Sequence, residues 1–241
     1  MNTPFPENCT KCPVFATSLF KDLDQGLIGL LAEKRRVYSL DKKQQLFEQG
    51  ELVEGIFCHL DGLAKVVQTD AEGKIRFTRL VLPGDTSGHR SLFIENKYKG
   101  TAIVISDALK ACFISQTDML FLLSNNASLA KNLIVKISNE LNRSEDEVIS
   151  VKERNVRSRL AYLLYNLSSS YSEALDSSRC ILKSEITKKD IANLLMVADE
   201  TVIRLMSEMR NEGIISYAEK RIVIDDLEMI KTMSRINIDS E

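Results

Sequence analysis

Residues Ile186 to Gly213 read ITKKDIANLLMVADETVIRLMSEMRNEG, and this stretch decides the architecture, because its apolar and polar residues sort onto opposite sides of two short helices. Thr187 with Asp190 three residues on forms a capping box that starts a first helix. Ile191, Leu194 and Leu195 follow at helical spacing, and Met196, Val197 and Ala198 are left to turn the chain. A second helix opens near Asp199, whose carboxylate suits a helix N-terminus. Val202, Leu205, Met206 and Met209 form its buried stripe, which leaves Glu200, Ile203, Arg204 and Ser207 outside. The pattern is a helix-turn-helix.

Glu200 and Arg204 stand four apart and project side by side from a helix. One reading is a surface ion pair contributing about 0.2 to 0.5 kcal/mol. The other places the helix in a DNA major groove, where Arg204 donates two hydrogen bonds to a guanine and Glu200 accepts from a cytosine amino group, each discriminating by roughly 1 to 3 kcal/mol. Spacing alone leaves both open.

Downstream, Ile214 to Tyr217 and Arg221 to Ile224, joined by a turn at Ala218 to Lys220, predict a two-stranded wing, and Asp225 to Ile236 a closing helix. Upstream, VRSRLAYLLYNL (Val156 to Leu167) is amphipathic and helical, and Tyr171 to Cys180 is a polar connection. Before it, Leu133, Ile137, Leu141, Ser144, Val148, Val151 and Asn155 alternate spacings of four and three, the repeat of a two-stranded seam. A second copy of the chain would cover that stripe; the alternative is packing on the preceding domain.

From Arg35 to Ser115 the texture changes to short β-favouring runs, with turn chemistry at Asp61-Gly62, Asp70 to Gly73 and Pro83-Gly84-Asp85. This predicts an antiparallel barrel or sandwich. Lys21 to Glu33 suits a short amphipathic helix, and the first twenty residues, with three prolines, read as an irregular arm. The expected class is α+β: a cysteine-containing arm over 1–20, a β-roll over 21–120, a long dimerisation helix over 121–154 and a winged helix-turn-helix domain over 155–241.

The 241 residues carry a net charge of −2, so bulk counterion release is not what would bind nucleic acid; a few placed residues and a two-headed dimer would have to carry recognition. No window is long and apolar enough to span a bilayer and the N-terminus has no signal-peptide pattern, so a cytoplasmic protein without a membrane partner is expected. Five cysteines, Cys9, Cys12, Cys58, Cys112 and Cys180, are not a disulfide framework in such a compartment, while Cys9-x-x-Cys12 raises metal, cluster or redox chemistry. With no glycine-rich phosphate loop and no nucleophile–base pairing, an enzyme is not expected. A ligand-binding module acting without DNA is the other class, and the complete wing argues against it.

The order of parts resembles the family of the cyclic AMP receptor protein and the fumarate and nitrate reduction regulator over nearly the whole chain. The residues carrying the likeness are Phe47 to Glu51, Leu60-Asp61-Gly62, Pro83-Gly84-Asp85, Arg159-Leu160 with Tyr165 to Ser168, and Ile186 to Ala192 with Glu200 to Arg204. The resemblance implies a cyclic-nucleotide-binding-like jelly roll for the β-roll. It implies base reading by Glu200 and Arg204, phosphate contacts by Lys188 and Thr201, and a palindromic TGA-type site with half-site centres about 34 Å apart. Asp199 opens that helix, and Ile203, where relatives carry glycine or serine, would meet a thymine methyl. The implied partners are double-stranded DNA, a second copy of the chain and RNA polymerase. Met196 stands at a turn position usually given to glycine, and Ala198 replaces the usual capping serine.

For the sensor, the stretch corresponding to the nucleotide pocket of relatives is Gly88-His89-Arg90-Ser91-Leu92-Phe93, followed by Lys99-Gly100-Thr101. The ribose-binding glutamate has become His89, and the phosphate-binding arginine Gly100 or Lys99, so cyclic AMP is not the expected ligand although Gly88, His89, Arg90, Ser91, Lys99 and Thr101 would line a pocket. Cys9, Cys12 and Cys112 match three ligands of the oxygen-sensing branch's iron–sulfur cluster. The other falls on Ser18, leaving serine or Cys58 to complete a set of four.

Overall fold

The computed structural model describes residues 8–94, 96–153, 155–183 and 185–234, with the side chains of Arg143 and residues 146–153 left aside. It divides into two compact units, 1–142 and 143–241.

The first unit opens with two 3-10 turns, Cys9–Lys11 and Phe15–Thr17. This irregular segment packs on the unit: Cys9, and Leu19 and Phe20 just after the turns, are buried in its core. Helix α1 is Gln25–Lys34, starting four residues later than the expected Lys21, because the Asp24 carboxylate accepts from Leu27 N at 2.9 Å and sets the start. Eight strands follow: β1 (Arg36–Asp41), β2 (Gln45–Phe47), β3 (Gly55–Asp61), β4 (Ala64–Thr69), β5 (Ile75–Val81), β6 (Thr86–Ser87), β7 (Thr101–Val104) and β8 (Ala108–Ser115). They form two four-stranded antiparallel sheets, β1-β8-β3-β6 and β2-β7-β4-β5, and residues of both feed one apolar cluster, the expected jelly-roll arrangement. Pairing of β3 with β8 sets Cys58 directly opposite Cys112.

The helical stretch after β8 is two helices: α2 (Gln116–Asn125) and α3 (Ala127–Glu153). Asn126 takes an extended backbone that stops α2, and its side-chain oxygen accepts from Leu129 N at 2.7 Å to start α3. The long helix therefore begins at 127 and not at 121. A second correction concerns its seam. Leu133 is 6% exposed and belongs to the β-roll core with Leu129, so it packs inward and is not available to a second copy. The exposed apolar residues are instead Ile134, Val135, Ile137 and Leu141. Val148 and Val151 have side chains outside those described.

The second unit contains α4 (Val156–Ser170), β9 (Ser172–Ala174), β10 (Cys180–Leu182), α5 (Lys188–Leu195), α6 (Asp199–Asn211), β11 (Ile215–Ala218), β12 (Arg221–Ile224) and α7 (Leu227–Ser234). The wing is a four-stranded sheet, β11-β12-β10-β9, rather than a two-stranded one, because the polar connection folds back as a hairpin. Asp176 anchors that turn by accepting from Ser178 N and Arg179 N, both at 2.9 Å. Leu160, Leu164 and Leu167 of α4, Ile191 of α5 and Ile230 of α7 are each 0% exposed and form the unit's centre. Arg159 donates to the Leu195 carbonyl, fixing the end of α5 against α4.

Candidate functional site

The helix pair forms as its sequence dictates. Thr187 Oγ1 accepts from Asp190 N at 3.1 Å and donates to Asp190 Oδ2 at 2.7 Å, which caps α5. Met196 ends α5 in the left-handed region, φ 52° and ψ 47°, with its side chain 71% exposed; a non-glycine residue there costs roughly 1 to 2 kcal/mol. Ala198 precedes α6 with no side-chain cap. Val202, Leu205, Met206 and Met209 are buried, so the opposite face is fixed in direction. Asp199, Glu200, Ile203 and Arg204 are exposed on it and Thr201 is half-buried beside them, while Lys188 is exposed at the start of α5.

The surface pair anticipated from spacing does not form. Arg204 Nη1 reaches Glu208 Oε1 at 2.6 Å, and Glu200 has no ion-pair partner among the described residues. Lys188 Nζ and Arg210 each lie 6.0 Å from the centre of the Tyr217 ring on the wing. A band of basic groups thus flanks the outer face of α6, with the wing tyrosine holding two of them in place.

In the β-roll, four cysteines from separate places in the sequence line one cavity of about 30 Å3: Cys9 and Cys12 from the N-terminal turn, Cys58 from β3 and Cys112 from β8. All are free thiols. Arg35 Nη1 donates to Cys9 Sγ at 3.2 Å. Burial raises the pKa of each thiol; for Cys112 it reaches about 11, with Arg35 opposing the rise. Ser18 also borders the cavity, yet its hydroxyl donates to Phe15 O at 2.8 Å and accepts from Phe20 N at 3.2 Å, which commits it to the turn. Among the described residues no three His, Cys, Asp or Glu side chains are placed to hold a single metal ion.

None of the six residues expected to line a nucleotide pocket borders that cavity. Ser91 is buried and its hydroxyl accepts from Lys99 N at 3.2 Å, and buried Thr101 accepts from Gln49 N at 3.1 Å. Gly88 has φ +84°, with the Gly55 carbonyl 3.0 Å from where a Cβ would stand. At Gly100 a Cβ would come within 2.7 Å of the Val67 carbonyl, so this backbone leaves no room there for a side chain.

His89 and Arg90 face α3. His89 is 0% exposed, and its Nε2 lies 3.0 Å from Glu140 Oε2, to which Arg90 Nε donates at 2.7 Å. The other oxygen, Oε1, receives Arg79 Nη1 at 3.2 Å and Lys136 Nζ at 3.3 Å, and Lys136 also reaches Asp85 at 3.4 Å. Burial lowers the pKa of His89 and outweighs the raising effect of Glu140, so the ring is neutral and Nε2–H is the donor. Although burial raises it, the Glu140 carboxyl is held well below the usual carboxylate range by the His89 hydrogen bond and by Arg79 and Lys136. Glu140 escaped the sequence reading. Its signal was present, however: Leu129, Leu133, Lys136 and Glu140 continue one inward stripe of α3 at spacings of four and three.

Residues 37–126 match the family of the cyclic nucleotide-binding domain and residues 158–233 that of the Crp-like helix-turn-helix domain. The chain is 28% identical over 209 residues to the anaerobic regulatory protein of Pasteurella multocida, covering 86% of this chain and 73% of that one. It is 25% identical over 213 residues to the fumarate and nitrate reduction regulatory protein of Yersinia pestis, covering 88% and 82%. In fold it is similar to FixK2 from Bradyrhizobium japonicum, with a TM-score of 0.72 at 18% identity over 84% of this chain and 98% of that one. Among the described residues no helix is long and apolar enough to cross a membrane.

Proposed function

We propose that the chain is a DNA-binding transcription regulator of the family of the cyclic AMP receptor protein and the fumarate and nitrate reduction regulator, which its two matched domains and its relatives support, and that it acts as a homodimer reading a palindromic TGA-type site through Glu200 and Arg204. The observation that carries the reading is the outer face of α6. Its exposed residues stand on a helix whose other side is wholly buried, so their direction is fixed before DNA arrives. The exposed Arg204–Glu208 pair contributes about 0 to 1 kcal/mol, less than a bidentate guanine contact at roughly 1 to 3 kcal/mol, so Arg204 exchanges partners on binding. Lys188 and Thr201 contact phosphates, Asp199 starts the helix at the groove edge, and Ile203 meets a thymine methyl.

The second copy is held along α3, where Ile134, Ile137 and Leu141 form an exposed apolar stripe that leads to exposed Ser144. This shifts the first seam residue from Leu133 to Ile134. Half-sites then lie about one helical turn of DNA apart, about 34 Å, and RNA polymerase is the protein partner through which binding changes transcription. The test is binding of the wild type and Arg204→Ala to a palindromic TGA-type duplex and to random DNA. Loss of discrimination supports the assignment; an Arg204→Ala protein that still prefers the palindrome overturns it.

The cysteine cavity favours a more specific reading, a redox- or oxygen-responsive regulator, and the name of the Pasteurella relative points the same way. The four thiols around the cavity match the four ligands of an iron–sulfur cluster, with Cys58 joining Cys9, Cys12 and Cys112 in place of Ser18, whose hydroxyl the turn already uses. Bound there, such a cluster would supply a redox- and oxygen-sensitive centre. The thiolate form that burial disfavours is the form a metal stabilises. Anaerobic reconstitution with iron and sulfide, followed by iron analysis and visible absorbance, tests it: Cys58→Ala should lose the chromophore and Ser18→Ala should keep it. A colourless, iron-free wild type would remove this reading while leaving the DNA assignment standing. Cyclic AMP bound in the family manner is not part of either reading, and calorimetric titration should give no heat of binding.

A further inference from the structure

One turn past Arg204 along α6 stands Glu208, whose two oxygens face two different arginines. Oε1 receives Arg204 Nη1 at 2.6 Å. Oε2 lies 4.0 Å from Nη1 of Arg157, in the first turn of α4. The first contact is a hydrogen-bonded ion pair, and the second is too long for a hydrogen bond. Arg157 is itself held in place, because its Nη2 donates to Glu212 Oε2 at the C-terminal end of α6. A guanidinium has five N–H donors, so the bond to Glu212 leaves Nη1 able to donate toward Glu208. Charges therefore alternate along one line, Arg204, Glu208, Arg157 and Glu212, which runs from the base-reading arginine of α6 to α4.

When Arg204 turns to a guanine, Glu208 loses its hydrogen-bonded partner. Its side chain is only 38% exposed, and a part-shielded carboxylate left without a donor opposes the exchange. We propose that Arg157 is a positioning residue for base reading: it takes the Glu208 carboxylate as Arg204 leaves, so that no charge is stranded. The inference rests on base reading by Arg204 and names the residue that makes its change of partner possible. Neither helix has to move, since rotation about the side-chain bonds of Glu208 closes the 4.0 Å gap. The coupling is reciprocal. A stronger hold of Arg157 on Glu208 releases Arg204 for DNA, and DNA binding in turn tightens the contact between α4 and α6.

The experiment measures affinity for the palindromic TGA-type duplex in the full chain, with Arg157→Ala placed in three backgrounds. In wild type the substitution should weaken binding by about two- to fivefold per half-site, the range that exposed ion pairs span. In Glu208→Gln it should change nothing, because no carboxylate is left to be stranded. In Arg204→Ala it should also change nothing, because no partner is exchanged on binding. A direct phosphate contact by Arg157, or a role only in holding α4 to α6, would lower affinity equally in all three backgrounds, and that result overturns the proposal, as does an Arg157→Ala chain that binds like wild type. If Arg157→Ala does not fold, Arg157→Gln keeps much of the side chain without its charge and should show the same conditional loss; an equal loss in every background overturns the proposal there too. An Arg204→Ala chain that still prefers the palindrome to random DNA removes the base-reading assignment and this inference with it. Loss of that preference together with equal effects of Arg157→Ala leaves base reading standing and removes this inference alone.

Discussion

The two units carry their chemistry in different ways. In the second, function follows from neighbours in sequence: the residues that bury α6 and those that face outward alternate within thirteen positions. In the first, the polar groupings are assembled from remote places. The thiol cavity joins residues 9, 12, 58 and 112, and the ion cluster around Glu140 joins residues 79, 89, 90 and 136. Helical periodicity reports one face of one element; strand register and helix docking, which decide who meets whom in a jelly roll, leave almost no local mark. A regulator's output is therefore easier to read than its input.

The largest expected effect tests whether the locally legible unit rests on its periodic core. Leu164 is 0% exposed at the centre of the unit, so Leu164→Ala should cost about 2 to 5 kcal/mol, measured by urea denaturation. A cost below 1 kcal/mol would mean that the stripe read from sequence is not what holds the unit together.

How much of each region was visible follows from such residues. The capping box at Thr187, the buried stripe from Val202 to Met209, the antiparallel β-roll and the closing helix were all legible, because each is written in a spacing or a turn chemistry. Leu133 was misplaced because α3 carries two apolar stripes, one inward and one outward, and spacing does not say which meets the β-roll. The break at Asn126 is a single polar residue in an otherwise helical run. The hairpin of β9 and β10 was hidden because its turn is polar and its first strand short. Cys58 becomes a neighbour of Cys112 only through the register of β3 on β8, and Glu140 meets its partners only after both sheets and α3 have docked.

The next effect sharpens the contrast from the side of the β-roll, where a histidine that sequence leaves unassigned is wholly buried. His59 is 0% exposed, with Nε2 2.8 Å from Ser87 Oγ, and burial lowers its pKa from 6.5 to about 3, opposed by Asp85, which raises it, and helped by the cations Arg79 and Lys136, which lower it further. Between those values the unfolded chain binds a proton that the folded chain does not, so stability rises with pH and is lost as pH falls below 6.5. The loss approaches about 1.4 kcal/mol per pH unit and amounts to about 2 kcal/mol at pH 5. His89, also lowered by burial, adds in the same direction. Urea titrations at pH 7 and pH 5 should therefore show a steeper acid loss for wild type than for His59→Gln, and equal slopes would contradict neutral burial of His59.

The smallest effects lie in the turn of the helix pair, where the legible region departs from its own rules. Ala198→Ser supplies the missing side-chain acceptor at the start of α6 and should add about 1 kcal/mol. Met196→Gly relieves a left-handed conformation costing roughly 1 to 2 kcal/mol, but glycine gives back about 0.5 to 1 kcal/mol in unfolded-chain entropy, so the net gain should be below about 1 kcal/mol. Denaturant titration measures both. DNA affinity measured on the same two variants then separates fold from function. The Met196 side chain is 71% exposed and leaves little packing to lose, so stability should rise while specific affinity changes little. If Met196→Gly gains stability but loses discrimination between palindrome and random DNA, the strained turn is aiming the recognition helix, and the placement of Glu200 and Arg204 depends on a residue whose spacing alone marks it only as a defect.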